Sequence, residues 1–212
     1  MDHMDTPLEL FIFIDALGWH IAQQHRFLED LMPYRQPVTM QFGYSCTALP
    51  TILSGKKPVE HGHLSFFYLD PENSPFKIFR VLKYLLKPAS FWDRGRVRHF
   101  LSQLIRAIYG YTGYFQLYAV PFDRLPYFNY CEKKNIFGPE GLAPVPNLFD
   151  LLLRSGLQFH ISDWRLPEAQ NFALAGDAAA REDMNFIFLY ASSLDALLHQ
   201  HVSDEKIIQQ KL

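Results

Sequence analysis

Apolar residues fill the run from Leu8 to Ile14, which ends in Asp15-Ala16-Leu17-Gly18, the pattern of a central parallel strand that empties into a loop at its carboxyl end. Ligands of open α/β sheets gather at such ends. Helical spacing follows from Ile21 to Leu31 and is closed by Pro33 and Pro37. The small-residue turn at Gly43-Tyr44-Ser45 leads into about two helical turns that Gly55 can cap, which puts Ser45 near a helix N-terminus. His63 to Asp70 reads as a second strand, ended by Pro71 and Pro75. After a long interruption the rhythm resumes: Asn147 caps a helix through Ser155, Phe159 to Ser162 suits a strand, and a helical stretch precedes the apolar strand Asn185 to Ala191. Leu194 to His201 then opens a helix.

The interruption has a different texture. From Phe76 to Arg106 the chain sets Lys77, Arg80, Lys83, Lys87, Arg94, Arg96, Arg98 and Arg106 among Phe, Leu, Tyr and Trp, with Asp93 the only acid. Aromatic residues stay dense to Tyr130, and Gly138, Gly141, Pro144 and Pro146 mark a loop. The pattern predicts one α/β domain over 1–212, with a core of 8–70 and 147–212 and a helical, aromatic cap inserted at about 71–146.

Composition narrows the function classes. In 212 residues, 49% are hydrophobic and 20% charged, which is the profile of a chain that buries a core. A net charge of -2 argues against a global nucleic-acid binder, so no nucleic-acid partner is expected. Cys46 and Cys131 are too few for a disulfide framework or a four-thiolate zinc site. The start MDHMDTPLELFIFID lacks the basic opening of a signal peptide, and the apolar runs fall short of the ~20 residues that span a bilayer. A cytoplasmic location is the expectation.

Candidate chemistry lies at the ends of the two apolar strands. Asp15 stands where a rigidly held carboxylate can take a divalent cation. Asp195 and His199 are four apart and so share a helix face, a spacing at which carboxylate and imidazole can grip one zinc-like ion. His201 competes with His199 for that role. Each feature alone has an ordinary use as a loop acid, a helix cap or a solvated polar face.

Taken together, four segments resemble the alkaline-phosphatase superfamily, in particular its type I phosphodiesterase/nucleotide pyrophosphatase branch. They are Phe11-Ile12-Phe13-Ile14-Asp15-Ala16-Leu17-Gly18, Ser45 through Ser54-Gly55, Pro58-Val59-Glu60-His61-Gly62-His63, and Leu189-Tyr190 through Asp195-Ala196-Leu197-Leu198-His199. In that family the first Asp binds metal, and a Thr, Ser or modified Cys nucleophile lies ten residues before the Gly of a "TG" pair. Ser54-Gly55 takes the place of that pair here, so the register falls on Ser45, with Cys46 and Thr47 out of step. The sulfatase branch is disfavoured, because Ser45 lacks the Pro and Arg of the usual sulfatase signature.

The resemblance implies a mostly parallel, helix-flanked sheet and hydrolysis of a phosphodiester, pyrophosphate or phosphomonoester. Ser45 would be the nucleophile and also a metal ligand, one ion held partly by Asp15 and a second by Asp195 and His199. Zinc suits the mixed Asp and His donors, and manganese or magnesium the oxygen-rich side. The substrate class would be a small phosphate ester or a lipid head group, and His61 would serve a structural turn. Family members continue beyond DxxxH to an Asp-His-Gly motif and a further His. No Asp-His-Gly occurs here, so the C-terminal part of the domain is expected to be missing and turnover by this chain to be poor. Lys56 and Lys57 are expected to be solvated. A second reading makes residues 76–106 a noncatalytic module for membrane surfaces.

Overall fold

The computed structural model describes residues 7–81, 89–117, 120–201 and 205–212. Lys83 and Lys87, counted above in the basic insert, lie outside the described residues. In chain order the elements are β1 (Glu9–Ile14), α1 (Trp19–Gln24), α2 (Ser45–Ser54), α3 (Pro58–His61), β2 (Phe67–Leu69), α4 (Ala89–Trp92), α5 (Gly95–Tyr109), β3 (Phe128–Tyr130), α6 (Leu148–Arg154), β4 (Phe159–Ile161), α7 (Glu168–Ala179), β5 (Phe186–Ala191), α8 (Ser193–Gln200) and α9 (Glu205–Lys211), with a 3-10 turn at Leu125–Tyr127. Among the described residues no helix is long and apolar enough to cross a membrane.

The chain divides into two compact units, residues 1–40 with 151–212 and residues 41–150. This boundary differs from the single domain with a 71–146 cap read from the sequence. Segment 41–70 belongs with the insert because its polar groups are satisfied there. Asp70 N–H donates to Tyr127 O at 2.9 Å, Cys131 N–H donates to Phe66 O at 3.0 Å, and β2 pairs antiparallel with β3, Phe67 opposite Tyr130. The strand expected from His63 to Asp70 is therefore short and lies outside the parallel sheet.

The first unit is the α/β part. Its sheet has the order β1-β5-β4, all parallel, with β1 and β5 in register from Glu9↔Phe186 to Ile14↔Ala191. β5, not β1, is the central strand: Ile187, Phe188 and Leu189 are buried in succession, whereas most of β1 is exposed. Burying side chains of this size stabilises by about 1.5–3 kcal/mol each. Ala175 and Ala178 of α7 and Met184 pack with Ile187 and Leu189, and Phe11 stacks on Phe188 with ring centroids 5.3 Å apart. The helix expected over Ile21 to Leu31 stops at Gln24. None of its residues is buried, so nothing holds it past His25, and Arg26 and Leu28 take left-handed φ of 48°.

The second unit is built on aromatic rings. Phe76, Phe79, Leu101, Ile105, Phe115, Leu117, Phe122, Leu125 and Tyr130 form its core, and Tyr130 meets Phe115 and Phe67 edge-on at 4.8 and 4.9 Å. Such edge-to-face pairs add to plain area burial. Asn147 caps α6 as its sequence suggests: its Oδ1 accepts from Asp150 N–H at 3.0 Å, while its own N–H donates to Asp150 Oδ2 at 2.8 Å.

Candidate functional site

β1 and β5 run side by side in one direction, so the residues that follow them leave the sheet at the same edge. Asp15 continues the ladder for one step, its N–H donating to Ala191 O at 2.8 Å, and the chain then turns sharply. Gly18 N–H closes on Ala16 O at 2.8 Å, with Ala16 held at φ 65°, a left-handed conformation uncommon for a residue with a Cβ. The Asp15 side chain is 8% exposed, and the Tyr190 hydroxyl donates to its Oδ2 at 2.7 Å.

After β5 the chain passes through Ser192 into α8, whose first turn carries Asp195. Burial raises the Asp195 pKa above the ordinary carboxylate value and the Asp15 charge raises it further, while His199 opposes both. Asp15 and Asp195 therefore repel each other across the carboxyl edge of the sheet. His199 Nε2 stands 3.4 Å from Asp195 Oδ2, one helical turn on, and its side chain is 79% exposed. His201 falls just past the helix, its N–H donating to Leu197 O at 2.8 Å.

Two residues without an assigned role in the sequence reading hold this edge in place. Tyr190 fixes the Asp15 carboxylate. Glu168, at the start of α7, accepts from Ser193 N–H at 3.1 Å and from the Ser193 hydroxyl at 2.5 Å, anchoring the first turn of α8, and Lys211 pairs with it at 2.6 Å. A tyrosine near the end of an apolar strand, three residues before a helix, was the available signal for the first. Glu168 looks like any first-turn helix acid.

The second unit carries Ser45. α2 begins at that residue and ends at Gly55, whose φ of 65° supplies the left-handed cap expected there. Of three adjacent candidates only Ser45 is partly exposed: Cys46 and Thr47 are 4% and 2% exposed. Burial pushes the Cys46 thiol pKa up, which works against a thiolate. Gly43 makes room for Thr47, since a Cβ at Gly43 would sit 2.9 Å from the Thr47 hydroxyl.

No family model, curated protein or solved structure matches this chain.

His61 is occupied by structure. Its Nδ1 accepts from His63 N–H at 3.1 Å, so its Nε2 carries the proton that meets Thr51 Oγ1 at 3.1 Å. The Thr51 hydroxyl in turn donates to Thr47 O, tying α3 to α2. His63 is 9% exposed, its Nδ1 has no hydrogen-bond partner among the described residues, and burial lowers its pKa to about 4. Lys56 is solvated and pairs with Glu60 at 3.5 Å, as expected of it. Among the described residues no three His, Cys, Asp or Glu side chains form a ready metal cage. What the first unit offers is a carboxylate pair with one imidazole, hard and borderline donors whose excess negative charge a divalent cation relieves.

Proposed function

We propose that the chain serves metal-dependent hydrolysis of a phosphodiester, pyrophosphate or phosphomonoester, in the manner of the alkaline-phosphatase superfamily that its motifs resemble. The observation that carries this reading is that Asp15 and Asp195 both follow the carboxyl ends of adjacent parallel strands, with the Asp15 charge felt at Asp195 and His199 one turn beyond Asp195. Open α/β sheets bind ligands at this edge. Two like charges held there by backbone registry cost stability, an arrangement that a bound cation turns to use.

In this reading Asp15 holds one divalent cation, and Asp195 with His199 holds another. When bound, the ions would supply electrostatic stabilisation of the phosphoryl oxygens. Tyr190 keeps the Asp15 carboxylate turned to one direction, and Glu168 keeps α8 seated so that Asp195 and His199 stay on one face. Ser45, the nucleophile, begins α2, where the positive end of the helix dipole favours an anionic phosphoryl group. Zinc fits a donor set of carboxylate and imidazole best, and manganese and magnesium are the alternatives.

Asp195→Asn tests the reading through stability. A carboxylic acid whose folded pKa is raised holds its proton more tightly in the native state, so its contribution falls as pH rises through the window between the ordinary and the raised value. At neutral pH the metal-free Asn variant is therefore expected to melt above wild type. Zinc at about 100 times its Kd should stabilise wild type by about 2.7 kcal/mol and the variant much less. A variant that melts lower, or that keeps the full zinc shift, contradicts the paired-carboxylate site.

A further inference from the structure

Only part of α5 is used by the protein's own core. Leu101 and Ile105 join the aromatic cluster of the second unit, and Arg98 and Ser102 are buried beside them. On the neighbouring stripe, at positions i, i+4 and i+8, Phe100, Leu104 and Ile108 are 66%, 41% and 57% exposed. One exposed apolar side chain is ordinary, but three in register along more than two turns make a continuous ridge.

Along the sequence of α5 and the segment that follows it, the charge has one sign. No Asp or Glu occurs from Arg94 to Phe122, while Arg94, Arg96, Arg98 and Arg106 all do. The nearest preceding acid, Asp93, already pairs with Arg98 at 2.5 Å. Arg96 is exposed and lies one turn before Phe100, so a guanidinium stands at the N-terminal end of the ridge. Arg94 is exposed too, its guanidinium 5.5 Å from the Phe91 ring centroid.

We infer that this ridge docks the second unit on an anionic lipid surface. Phe100, Leu104 and Ile108 enter the boundary between head groups and acyl chains, and Arg94 and Arg96 pair with the anionic head groups. The combination selects the partner. A nucleic acid would satisfy the guanidiniums and leave Leu104 and Ile108 in water, and a neutral apolar partner would leave the guanidiniums unpaired. Because the neighbouring stripe of α5 is committed to the core, entry is shallow, and binding is reversible and weakened by salt.

Co-sedimentation of the intact protein with vesicles tests this, using phosphatidylcholine alone against phosphatidylcholine mixed with phosphatidylserine. Wild type is expected to pellet with the phosphatidylserine vesicles and not with the neutral ones. The triple variant Phe100→Gln, Leu104→Gln, Ile108→Gln should bind at least about tenfold more weakly with an unchanged melting temperature, since these side chains face out. Arg96→Glu should also lose about tenfold, because one attraction becomes a repulsion. Failure of wild type to bind, equal binding to neutral vesicles, or undiminished binding by the triple variant overturns the proposal. So does a marked fall in the triple variant's melting temperature, which would show the ridge to be covered within the protein. Retention on heparin that matches vesicle binding and survives in the triple variant would assign the arginines to a polyanion instead.

Discussion

Glu132→Gln is expected to stabilise the second unit at pH 8 by about 2 kcal/mol, read from urea unfolding. Glu132 is 6% exposed, and burial raises its pKa from 4.5 to about 7. The Tyr114 N–H, which donates to it at 3.1 Å, only partly offsets that burial. At 1.36 kcal/mol per unit, the shift corresponds to about 3 kcal/mol lost when the group must ionise in the folded state. Glutamine keeps the acceptor for Tyr114 N–H and removes the charge, but its amide needs a partner of its own, which explains the smaller expected gain.

The pH dependence separates this from a packing effect. For Glu132, a buried acid with a raised pKa, stability grows as pH falls from about 7 towards 4.5. His63 works the other way. Its folded pKa lies below its ordinary value of 6.5, at about 4, so its contribution is intact above 6.5 and lost as pH falls towards 4. In wild type the two slopes oppose each other over nearly the same window. Glu132→Gln leaves His63 alone, so the variant should lose stability steadily between pH 6.5 and 4 where wild type stays flat. A variant with the wild-type profile, or one less stable at pH 8, would show that Glu132 is not a buried, strained acid.

Ser45→Ala and Thr47→Ala are expected to separate chemistry from structure. The Thr47 hydroxyl is buried and donates to Leu64 O, so truncation should cost about 1–2 kcal/mol of stability. Ser45 is only partly buried at the start of α2, and its replacement should change stability by no more than about 0.5 kcal/mol. Hydrolysis of bis(p-nitrophenyl) phosphate, measured with added zinc and expected to be slow in wild type, should fall to background in Ser45→Ala, and the slow wild-type rate should persist in Thr47→Ala in proportion to folded protein. Activity that survives Ser45→Ala would move the nucleophile elsewhere, Thr47 being the next candidate.

The strands at the candidate site were legible because their signal is local. Phe186 to Ala191 is apolar along its length, as a strand buried on both faces must be, and Asp15 and Asp195 are marked by following such runs. The α2 helix was equally plain, since Gly55 is the one residue there suited to the left-handed cap. Three things escaped. The rank of β1 and β5 in the sheet depends on pairing, which periodicity does not encode: β1 reads as more apolar than its mostly exposed position warrants. The assignment of segment 41–70 to the second unit is set by hydrogen bonds to residues 128–131, far away in sequence. The roles of Tyr190 and Glu168 arise only where strand and helix ends converge, because neither residue type is unusual at its own position.

Calorimetric titration of zinc into the intact protein near pH 7, comparing wild type with Asp15→Asn, is the most direct probe of the proposed metal site. Saturable uptake by wild type, weakened at least about tenfold in the Asn variant, is the expected result, since Asp15 and Asp195 share the edge where the cations would sit. Uptake that is identical in the two proteins, or absent from wild type at millimolar zinc, would contradict a cation held at the carboxyl edge of β1 and β5.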